Sequence, residues 1–523
     1  MEPSQYKIKT ALVSVFDKTG ILEFVQGLID LGIKVYSTGG TKKYLFENGL
    51  KVHNIEELTQ FPEILDGRVK TLHPNLYAGI LARINKAEHI KQLEFYGIKP
   101  IDLVVCNLYP FEDTIKALNG KQHFSDEEML EILDMIDIGG PSMLRASAKN
   151  YHWTLPVINR NRYSELLQIL RENDSCVPEN IRLKYAAETF ENIAHYDLMI
   201  SEFFNKLTNF EFSRHFQVSL PSELKLRYGE NPQQKATLFG HFNEIFKKLH
   251  GKELSYNNIL DIDSATRLIV EFDTPTVAII KHTNPCGVGT DENLVEAYRK
   301  AFATDTISPF GGIIVVNRPV EKDFASEIHP LFTEVIIAPD FTDEALDLLT
   351  KKKDRRLVKV DLSLFKTKLN VDYRSVTNGI LVQDTDKWLF NNEDFKVVTR
   401  REPTDEELES LIFAWKVVKH VKSNAIVFAR RDRTIGIGAG QMSRVDSSRI
   451  AVEKARLMGL DLNGTVVASD AFFPFPDGVL EAAKVGATAV IQPGGSVRDS
   501  EVIEAANQNN MAMIFTNMRH FKH

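Results

Sequence analysis

The chain has 523 residues, of which 43% are hydrophobic and 26% charged, and its formal net charge is -8. This composition is typical of a folded globular protein and excludes wholesale disorder, and the negative charge disfavours binding to nucleic acid or to an anionic membrane. The length exceeds what one hydrophobic core usually serves, so we expect two or three domains, with two as the working number.

The three cysteines, Cys106, Cys176 and Cys286, lie far apart and follow no paired spacing. The sequence therefore predicts neither a disulfide framework nor a thiolate zinc site. No segment approaches the roughly 18 uninterrupted apolar residues of a membrane span. These features together lead us to expect a cytoplasmic protein.

Short β-branched runs alternate with amphipathic segments, which predicts α/β layers whose helices cover mostly parallel strands. In the first part of the chain the pattern predicts strands at 10–16, 34–37 and 102–108 and helices at 20–31, 41–48 and 182–207. Ser125 predicts the N-cap of an acidic helix, and another helix is expected from about Pro141.

The segment after residue 207 has no clear period, so we place a domain boundary there, between residues 1–207 and residues 208–523. The second domain is predicted to have strands at 277–280, 312–316, 335–338, 425–429, 466–469 and 489–491, enough for two sheets. Lys281 to Asn284 and Lys422 to Asn424 both lie beside apolar strands. This similarity indicates two related halves.

Two strand-to-helix junctions in the first domain have the residues of a phosphate site. They are Asp17-Lys18-Thr19-Gly20 and Ser37-Thr38-Gly39-Gly40-Thr41. Free N–H groups at a helix start, glycine backbone and a lysine all favour an anion. Ordinary turn chemistry is the alternative for either junction alone.

Three further polar clusters follow in the first domain. Residues 67–74, GRVKTLHP, crowd two cations, a hydroxyl and an imidazole, and a solvated basic loop is the alternative. Asn107 to Pro110 end a strand, where polar residues of an open α/β sheet commonly face ligand. Asp137 precedes two glycines, and Arg145 and Lys149 share one helical face, which would otherwise be an exposed basic stripe.

In the second domain, Lys281 and His282 follow an apolar strand. A neighbouring ammonium group favours the neutral form of an imidazole, which a general base needs, although a structural histidine is the alternative. The glycine run at 436–440 lacks the spacing of a dinucleotide fingerprint. The run Phe472-Phe473-Pro474-Phe475 predicts either buried core or the wall of a slot for a flat heterocycle.

In chain order, DKTG, STGGT, GRVKTLHP, CNLYPF, IDIGG and LRASAKN resemble the IMP cyclohydrolase domain of the bifunctional purine biosynthesis enzymes. LRYGENPQQ, YNNILD, KHTNPCG, SPFGG, KSNAIV, IGIGAGQMSR, SDAFFPF and TNMRHFKH resemble their AICAR transformylase domain. The resemblance implies a methylglyoxal-synthase-like open parallel sheet followed by two cytidine-deaminase-like α/β subdomains. It also implies a homodimer whose transformylase sites draw on both subunits.

The resemblance implies AICAR, FAICAR and IMP as nucleotide ligands and 10-formyltetrahydrofolate as cosubstrate, with no catalytic metal and a structural potassium ion left open. The residues implied in catalysis are Lys70, Tyr109, Asp137, Lys149, Lys281, His282 and Asn424. Those implied in nucleotide binding are Lys18, Thr38, Gly39, Gly40, Thr41, Arg68, Thr71, Asn107, Arg145, Arg227, Tyr228, Asn258, Arg519, Phe521 and His523. Those implied in folate binding are Phe310, Gln441, Arg444, Phe472, Pro474, Phe475 and Asp477.

These residue types fit two successive reactions. In formyl transfer, His282 would take the proton of the AICAR 5-amino group and the Asn424 amide would stabilise the oxyanion. In ring closure, Lys70 or Lys149 would stabilise developing negative charge. Asp137 would orient or deprotonate the carboxamide. Phe16 departs from some members, which have a small hydroxyl residue there.

Three alternatives remain open at this stage. The chain could retain only one of the two activities, or its first half could act as a methylglyoxal-synthase-like lyase. It could also be a catalytically silent regulator that binds nucleotide or folate. The ordered KTLHP and RASAKN segments argue against the lyase, and Lys281, His282 and Asn424 argue against the regulator.

Overall fold

The computed structural model describes residues 2–65, 68–118, 121, 123–208, 215–390 and 395–523. The chain forms two compact units, Met1–Ser219 and Leu220–His523. Gly67 of the GRVKTLHP segment lies outside the described residues, as do residues 209–214 beside the predicted boundary at 207. Within the described ranges, no helix is both long and apolar enough to cross a bilayer.

The first unit contains five strands and ten α-helices among its described residues. The strands are β1 (Thr10–Ser14), β2 (Lys34–Ser37), β3 (His53–Asn54), β4 (Leu103–Cys106) and β5 (Leu155–Val157). The helices are α1 (Ile21–Asp30), α2 (Gly39–Glu47), α3 (Glu56–Thr59), α4 (Pro74–Leu81), α5 (Ala87–Phe95), α6 (Phe111–Ala117), α7 (Asp126–Asp134), α8 (Gly139–Lys149), α9 (Tyr163–Glu172) and α10 (Glu179–Leu207).

The five strands form one parallel sheet in the order β3-β2-β1-β4-β5, which confirms the predicted open parallel sheet. Alternate residues of β1 point to opposite faces, so Ala11 and Val13 pack with α1 and α9 whereas Leu12 packs with α4 and α8. The chain leaves β1 for β2 on one side, and β4 pairs with β1 on the other. Ligands of open α/β sheets bind in the crevice at such a switch point.

Most predicted elements of the first unit are confirmed, with shifts at their ends. Ser125 caps α7 through a complete capping box with Glu128. The strand predicted at 10–16 ends at Ser14 because the next two residues bond to side chains: Val15 to Thr41, and Phe16 to Asn107. The helix predicted from residue 41 begins instead at Gly39, after Thr38.

The second unit contains sixteen strands and ten α-helices among its described residues. The strands are β6 (Ser222–Lys225), β7 (Thr237–Phe239), β8 (Phe246–His250), β9 (Thr276–Lys281), β10 (Asn284–Thr290), β11 (Gly312–Val316), β12 (Thr333–Ala338), β13 (Arg356–Val360), β14 (Val371–Val376), β15 (Gly379–Asp384), β16 (Lys396–Val397), β17 (Ile426–Arg430), β18 (Arg433–Gly438), β19 (Val466–Ser469), β20 (Ala489–Gln492) and β21 (Ala512–Phe515). The helices are α11 (Phe242–Ile245), α12 (Tyr256–Ile269), α13 (Leu294–Thr304), α14 (Lys322–Ile328), α15 (Asp343–Leu349), α16 (Leu362–Lys368), α17 (Asp405–Val418), α18 (Arg444–Leu457), α19 (Asp477–Lys484) and α20 (Asp499–Gln508).

Twelve of these strands form one sheet in the order β16-β21-β20-β19-β17-β18-β10-β9-β11-β12-β13-β8. The prediction of two sheets is therefore wrong, because β10 and β18 pair antiparallel and join what would otherwise be two edges. The predicted predominance of parallel pairing also fails in this sheet, since seven of its eleven strand pairs are antiparallel, including the β9–β10 and β17–β18 hairpins. Two further two-stranded sheets pair β6 with β7 and β14 with β15.

The twelve-stranded sheet repeats one topology twice. Counted outward from the central pair, β10-β9-β11-β12-β13-β8 matches β18-β17-β19-β20-β21-β16. The predicted internal repeat is therefore confirmed, but the two motifs that suggested it are not equivalent. His282 and Thr283 form the turn after β9, whereas Lys422 to Asn424 precede β17. The motifs are instead neighbours in space, since the Asn284 Oδ1 accepts the Lys422 backbone N–H at 2.9 Å.

Helices cover both faces of this sheet. On one face, α12 and α17 pack around the fully buried Trp415 and contact alternate strand residues such as Ala278 and Val427. On the other face, α13 to α15 cover the first half of the sheet and α18 to α20 cover the second. The unit is thus a three-layer α/β domain with a continuous core on each face.

The glycines of the central strands allow two helices to lie directly on strand backbone. A Cβ atom on Gly287 of β10 would lie 1.9 Å from the Ala301 carbonyl oxygen of α13. A Cβ atom on Gly438 of β18 would lie equally close, at 1.9 Å, to the Ser447 carbonyl oxygen of α18. The glycine run at 436–440 therefore serves helix packing at this position.

We expect Gly438→Ala to destabilise the second unit by about 1–3 kcal/mol or more, because the new methyl group meets helix backbone that can move only with α18. The matched control is Gly379→Ala, where the added Cβ would have an ordinary contact of 3.4 Å with the Val376 side chain. Thermal and urea unfolding of both variants measures the difference. Equal stability of the two variants would contradict the packing argument.

Candidate active sites

The loop after β1 is fixed at the switch point of the first unit by two side chains. Asn107 Oδ1 accepts the backbone N–H groups of Phe16 at 2.6 Å and Asp17 at 3.0 Å, and its Nδ2 donates to the Asp17 carbonyl at 2.8 Å. The Thr41 hydroxyl accepts from the Val15 N–H at 3.1 Å and donates to the Val15 carbonyl at 2.9 Å. Asn107 and Thr41 thus shape the crevice with hydrogen bonds inside the protein.

Both predicted phosphate junctions border a cavity. One cavity of about 420 Å³ is lined by Asp17, Lys18, Thr19, Gly20, Leu22, Glu23 and Tyr44. A second of about 160 Å³ is lined by Gly39, Lys42, Asn54, Ile55, Glu56, Phe61, Glu63 and Lys70. The Thr38 side chain bonds to Ser14 at 2.8 Å and does not cap α2, so the first N–H groups of this helix are left for another acceptor.

Three proposed reacting groups of the first unit lie within electrostatic reach of one another. Burial raises the pKa of Asp137, although the N–H of Gly140 and the charge of Lys70 oppose the shift. Burial also raises the pKa of Tyr109, and the Asp137 carboxylate adds to this effect. Burial and the nearby Lys70 lower the pKa of Lys18 against the attraction of Asp17. The cluster is therefore half-buried and has charges of both signs.

The remaining residues implied in the first unit occupy other places. The buried Thr71 hydroxyl contacts the start of α8, where a Cβ on Gly139 would lie 2.4 Å from it. Arg68 pairs with Asp134, and Arg145 stacks 5.8 Å from the Phe190 ring centroid. Lys149 ends the 11-residue helix that Gly139 begins, so the two residues lie about 15 Å apart along the axis.

In the second unit, His282 and Thr283 form the two-residue turn of the β9–β10 hairpin with φ angles of 52° and 63°. Two left-handed residues match the twist of a hairpin, but the β-branched Thr283 rarely adopts this conformation. The turn is held by Asp261, whose Oδ1 accepts the Thr283 N–H at 2.6 Å, and by the Thr283 hydroxyl, which donates to the His282 carbonyl at 2.7 Å. The His282 side chain is exposed.

Lys281 is directed toward the loop that carries Phe310. Its Nζ donates to the carbonyl oxygens of Ser308 at 3.1 Å and Phe310 at 2.8 Å. Asp305 fixes that loop through Ser308 and is itself paired with Lys454 at 2.9 Å. The Phe310 ring is 64% exposed and contacts Phe332, so it is available to a flat ligand.

The Asn424 amide braces the loop that follows β18. Its Nδ2 donates to the carbonyl oxygens of Gln441 at 2.9 Å and Met442 at 3.1 Å. An amide NH₂ has two donors, so both are engaged in this conformation. Gln441 in turn donates to the Ala439 carbonyl at 3.0 Å.

Arg444, which the family resemblance implies in folate binding, forms a buried ion pair. Its guanidinium donates to the fully buried Asp470 at 2.6 Å and to the Ser469 hydroxyl at 2.7 Å. Ser423 also donates to Asp470. In the phenylalanine run, Phe473 is core at 1% exposure, whereas Phe475 is exposed beneath the Arg498 guanidinium at 4.8 Å.

Among the residues implied in AICAR binding, two arginines stack on aromatic rings, and Asn258 is buried in the first turn of α12. Arg227 stacks on Tyr228 at 5.6 Å, and Arg519 stacks on Phe521 at 4.3 Å. Asn258 is buried and completes the capping box of α12 with Ser255, and its Nδ2 donates to Glu334 at 2.9 Å. The His523 carbonyl accepts from Arg374 at 2.6 Å, and Asp477 begins α19, where its carboxylate accepts the Gly478 N–H at 2.8 Å.

The sequence patterns do not identify Asp261 and Lys522, which form hydrogen bonds to the turn between β9 and β10. Asp261 and Lys522 lie within the YNNILD and TNMRHFKH segments, but no role was given to them. Burial raises the pKa of Asp261 and lowers the pKa of Lys522 to about 8. Their position in motifs that also carry the exposed site residues was the available signal. In the part of the chain that the structure describes, no three His, Cys, Asp or Glu side chains group as metal ligands.

We expect Arg444→Met to destabilise the protein by about 3–5 kcal/mol, because the buried Asp470 carboxylate loses its cation. The double variant Arg444→Met with Asp470→Asn should recover part of that loss. Arg449→Met, at an exposed position of the same helix, should change the free energy of unfolding by less than about 0.5 kcal/mol. Urea unfolding tests the series. A stable Arg444→Met protein with only a raised KM for folate would instead make Arg444 a folate ligand.

Comparison with known proteins places this chain among bifunctional enzymes. The family model of the "AICARFT/IMPCHase bienzyme" matches residues 147–454, and that of the "MGS-like domain" matches residues 20–142. A solved chain titled "Crystal structure of ForH" is 32% identical, with a TM-score of 0.34 over 38% of this chain and 98% of that chain.

Curated relatives align over almost their whole length and are called "Bifunctional purine biosynthesis protein PurH". The protein of Chlorobaculum parvum is 51% identical and that of Chlorobium chlorochromatii 52%, each over 99% of both chains. That of Caldicellulosiruptor saccharolyticus is 50% identical over 98% of this chain and 100% of its own. The chain therefore belongs to the AICARFT/IMPCHase bienzyme family of purine biosynthesis, which joins AICAR formyltransferase to IMP cyclohydrolase activity.

Proposed function

We propose that formyl transfer takes place at the β9–β10 turn, with His282 as the general base. The observation that carries this proposal is an exposed imidazole on a left-handed turn, directly after Lys281 in the chain, whose Thr283 N–H is held by the Asp261 carboxylate. A residue held in a sparsely populated backbone region by its surroundings is typical of a functional site.

In the proposed reaction, the 5-amino nitrogen of AICAR attacks the formyl carbon of 10-formyltetrahydrofolate. The His282 imidazole accepts the proton of the amine as the new C–N bond forms. The oxyanion then collapses, the bond between the formyl carbon and N10 breaks, and N10 takes up a proton. Lys281 stabilises the oxyanion once its ammonium group leaves the Ser308 and Phe310 carbonyls, and Asn424 joins it by releasing the longer of its two hydrogen bonds, to Met442.

The ligand sites in this proposal follow the exposed rings. AICAR is assigned to Arg227, Tyr228, Asn258, Arg519, Phe521 and His523, and the folate to Phe310, Gln441, Arg444, Phe472, Pro474, Phe475 and Asp477. The buried contacts of Asn258 and Arg444 give these two an indirect part, in which they fix the walls of the site. Phe310 and Phe475 are the exposed rings available for stacking on the pterin.

We propose that ring closure takes place at the switch point of the first unit. The substrate phosphate is assigned to Lys18 and the start of α2 at Thr38, Gly39, Gly40 and Thr41, where N–H groups and a cavity meet. Asp137 deprotonates or orients the carboxamide as its nitrogen attacks the formyl carbon, and water is lost. Lys70 and Tyr109 stabilise the oxyanion. Lys70 is preferred to Lys149 because its charge reaches Asp137.

Other residues of the first unit have supporting roles in this proposal. Asn107 and Thr71 shape the crevice through their contacts with the loop after β1 and the start of α8. Arg68 is within reach of ligand once it leaves Asp134. Arg145 and Lys149 lie on the exposed face of α8 and contribute only if the substrate extends along that helix.

The wider assignments are proposals of the same kind. We assign residues 1–207 to the cyclohydrolase domain and residues 208–523 to the formyltransferase domain. The doubled topology of the twelve-stranded sheet supports two cytidine-deaminase-like subdomains. A homodimer with shared transformylase sites rests on the family resemblance alone, whereas the cytoplasmic location rests on the cysteine spacing and the lack of a long apolar segment. A structural potassium ion is not assigned.

Loss of the imidazole should abolish formyl transfer and leave ring closure intact. We expect His282→Ala to lower kcat for transfer by about 10²–10⁴-fold, the usual contribution of a general base. AICAR binding, measured by calorimetry, and cyclisation of added FAICAR should stay at the level of the parent protein. His241→Ala, at an exposed position paired with Glu244, is the control. Full transfer activity in His282→Ala would rule out the proposed base.

The pH profile of cyclisation should report Asp137. Since burial raises the pKa of Asp137, its carboxylate is protonated at a higher pH than that of an ordinary aspartate. We therefore expect the acidic limb of the FAICAR cyclisation rate to lie above the usual range of aspartate, and Asp137→Asn to remove the limb together with most activity. Asp126→Asn, at an exposed position of α7, is the control. An unchanged acidic limb in Asp137→Asn would assign that limb to another group.

A further inference from the structure

Lys522 has an ammonium group enclosed by oxygen acceptors from three separate elements. Its Nζ lies 3.0 Å from the Ser264 hydroxyl of α12, 3.1 Å from the His420 carbonyl after α17 and 3.4 Å from the Thr283 carbonyl in the β9–β10 turn. Three acceptors thus meet the three donors of one ammonium group. None of the roles proposed above uses this residue.

The main chain of Lys522 is fixed as firmly as its side chain. Its N–H donates to the Ser423 hydroxyl at 3.2 Å, and its carbonyl accepts the Ser423 N–H at 2.9 Å. Ser264 and Thr283 belong to the first half of the doubled sheet, whereas His420 and Ser423 belong to the second. Lys522 therefore joins both halves directly below the turn that carries His282.

The Thr283 carbonyl in this turn accepts hydrogen bonds from two side chains. Thr283 is β-branched and lies in the left-handed region with φ 63°, a conformation that such residues rarely adopt. Asp261 holds the peptide N–H of Thr283, and the Thr283 carbonyl accepts from Ser264 at 3.0 Å and from Lys522. The two peptide planes that flank Thr283 are thus held by different side chains, one by a carboxylate and the other by a hydroxyl and an ammonium group.

The His420 carbonyl that accepts from Lys522 is held in place by a buried cluster of charged and polar side chains. Glu271 Oε1 accepts from Lys419 at 2.9 Å and from the His420 ring at 3.0 Å. This buried cluster fixes His420, whose carbonyl accepts from Lys522. Burial lowers the pKa of Lys522 to about 8, with Asp263 and Asp261 opposing the shift and Arg267 and Lys422 adding to it.

We propose that Lys522 is a positioning residue for formyl transfer, whose ammonium group holds the Thr283 carbonyl and thereby fixes the orientation of the His282 side chain. The inference rests on the proposed role of His282 as general base. Lys522 acts through the turn, so its loss lowers kcat while the nucleotide and folate contacts that determine KM remain. Small misplacements of a reacting group cost rate in this way.

The test uses the full chain with three substitutions. Lys522→Met should lower kcat of formyl transfer by about 10- to 100-fold, with KM for AICAR and folate within about two-fold of the parent. Lys522→Arg should retain most of kcat, because a guanidinium still donates to the carbonyl oxygens. Lys359→Met, at a lysine paired with Asp340 on the surface of the same unit, should have no effect. FAICAR cyclisation should be unchanged in all three.

The outcomes separate this inference from the proposed function. A folded Lys522→Met protein with normal kcat, or with a raised KM and normal kcat, overturns the positioning role even when His282→Ala is inactive. An active His282→Ala protein overturns the general base instead. If thermal unfolding shows that Lys522→Met is not folded, Ser264→Ala decides. That variant removes one of the three acceptors that hold the Lys522 ammonium group and also the second donor to the Thr283 carbonyl. A fall in kcat at constant KM supports the inference, whereas an unchanged kcat overturns it.

Discussion

The second unit depends on the contact between two helices and the backbone of the two central strands. At Gly287 and Gly438, a carbonyl oxygen of α13 or α18 occupies the space that any side chain would need. The same two strands, β10 and β18, pair antiparallel at the centre of one continuous sheet. As a result the N-terminal end of β10 meets the region that precedes β17, and the KHTN and KSN segments come together through Asn284 and Lys422. The proposed transformylase site is thus a product of the pairing between halves.

The two halves share a topology but use their hairpin turns differently. The turn after β9 carries His282 in an exposed position. The equivalent turn after β17 contains Asp432, which pairs with Lys300 at 2.7 Å and whose carbonyl accepts the Thr290 N–H at 2.8 Å. Because the central strands run antiparallel, the two turns lie at opposite ends of the central pair. One turn therefore presents a side chain for chemistry, and the other is used to attach the second half to the first.

Local sequence patterns predicted nine of the twenty-one strands that the described residues form, together with the neighbourhood of the sites. Gly312–Val316 and Val466–Ser469 match their predicted bounds, because short β-branched runs between turn residues are read locally. The single sheet was not predictable in the same way, since the β10–β18 pairing joins residues far apart in the chain. The same limit applies to Arg444, whose partner Asp470 follows β19, and their ion pair removes Arg444 from the surface.

Motif membership identified which segments form the sites but not what each side chain does there. Asn424 and Arg444 are polar residues in quoted motifs, and nothing in the residue type distinguishes a group that faces ligand from one that braces a loop. That distinction depends on burial and on available partners, which only the folded chain supplies. The two donors of Asn424, both engaged by loop carbonyls, illustrate the point.

The backbone conformation of the turn that carries His282 explains why polar side chains bond to it. A left-handed two-residue turn leaves peptide groups that an apolar layer could not satisfy, and unsatisfied buried groups are costly. The structure meets that demand with Asp261, Ser264 and Lys522. Charged partners carry their own desolvation cost, which here is limited by the carboxylates near Lys522 and by its full set of acceptors. A rigid polar support of this kind keeps an exposed imidazole in one orientation, which a hydrophobic packing layer alone would not do.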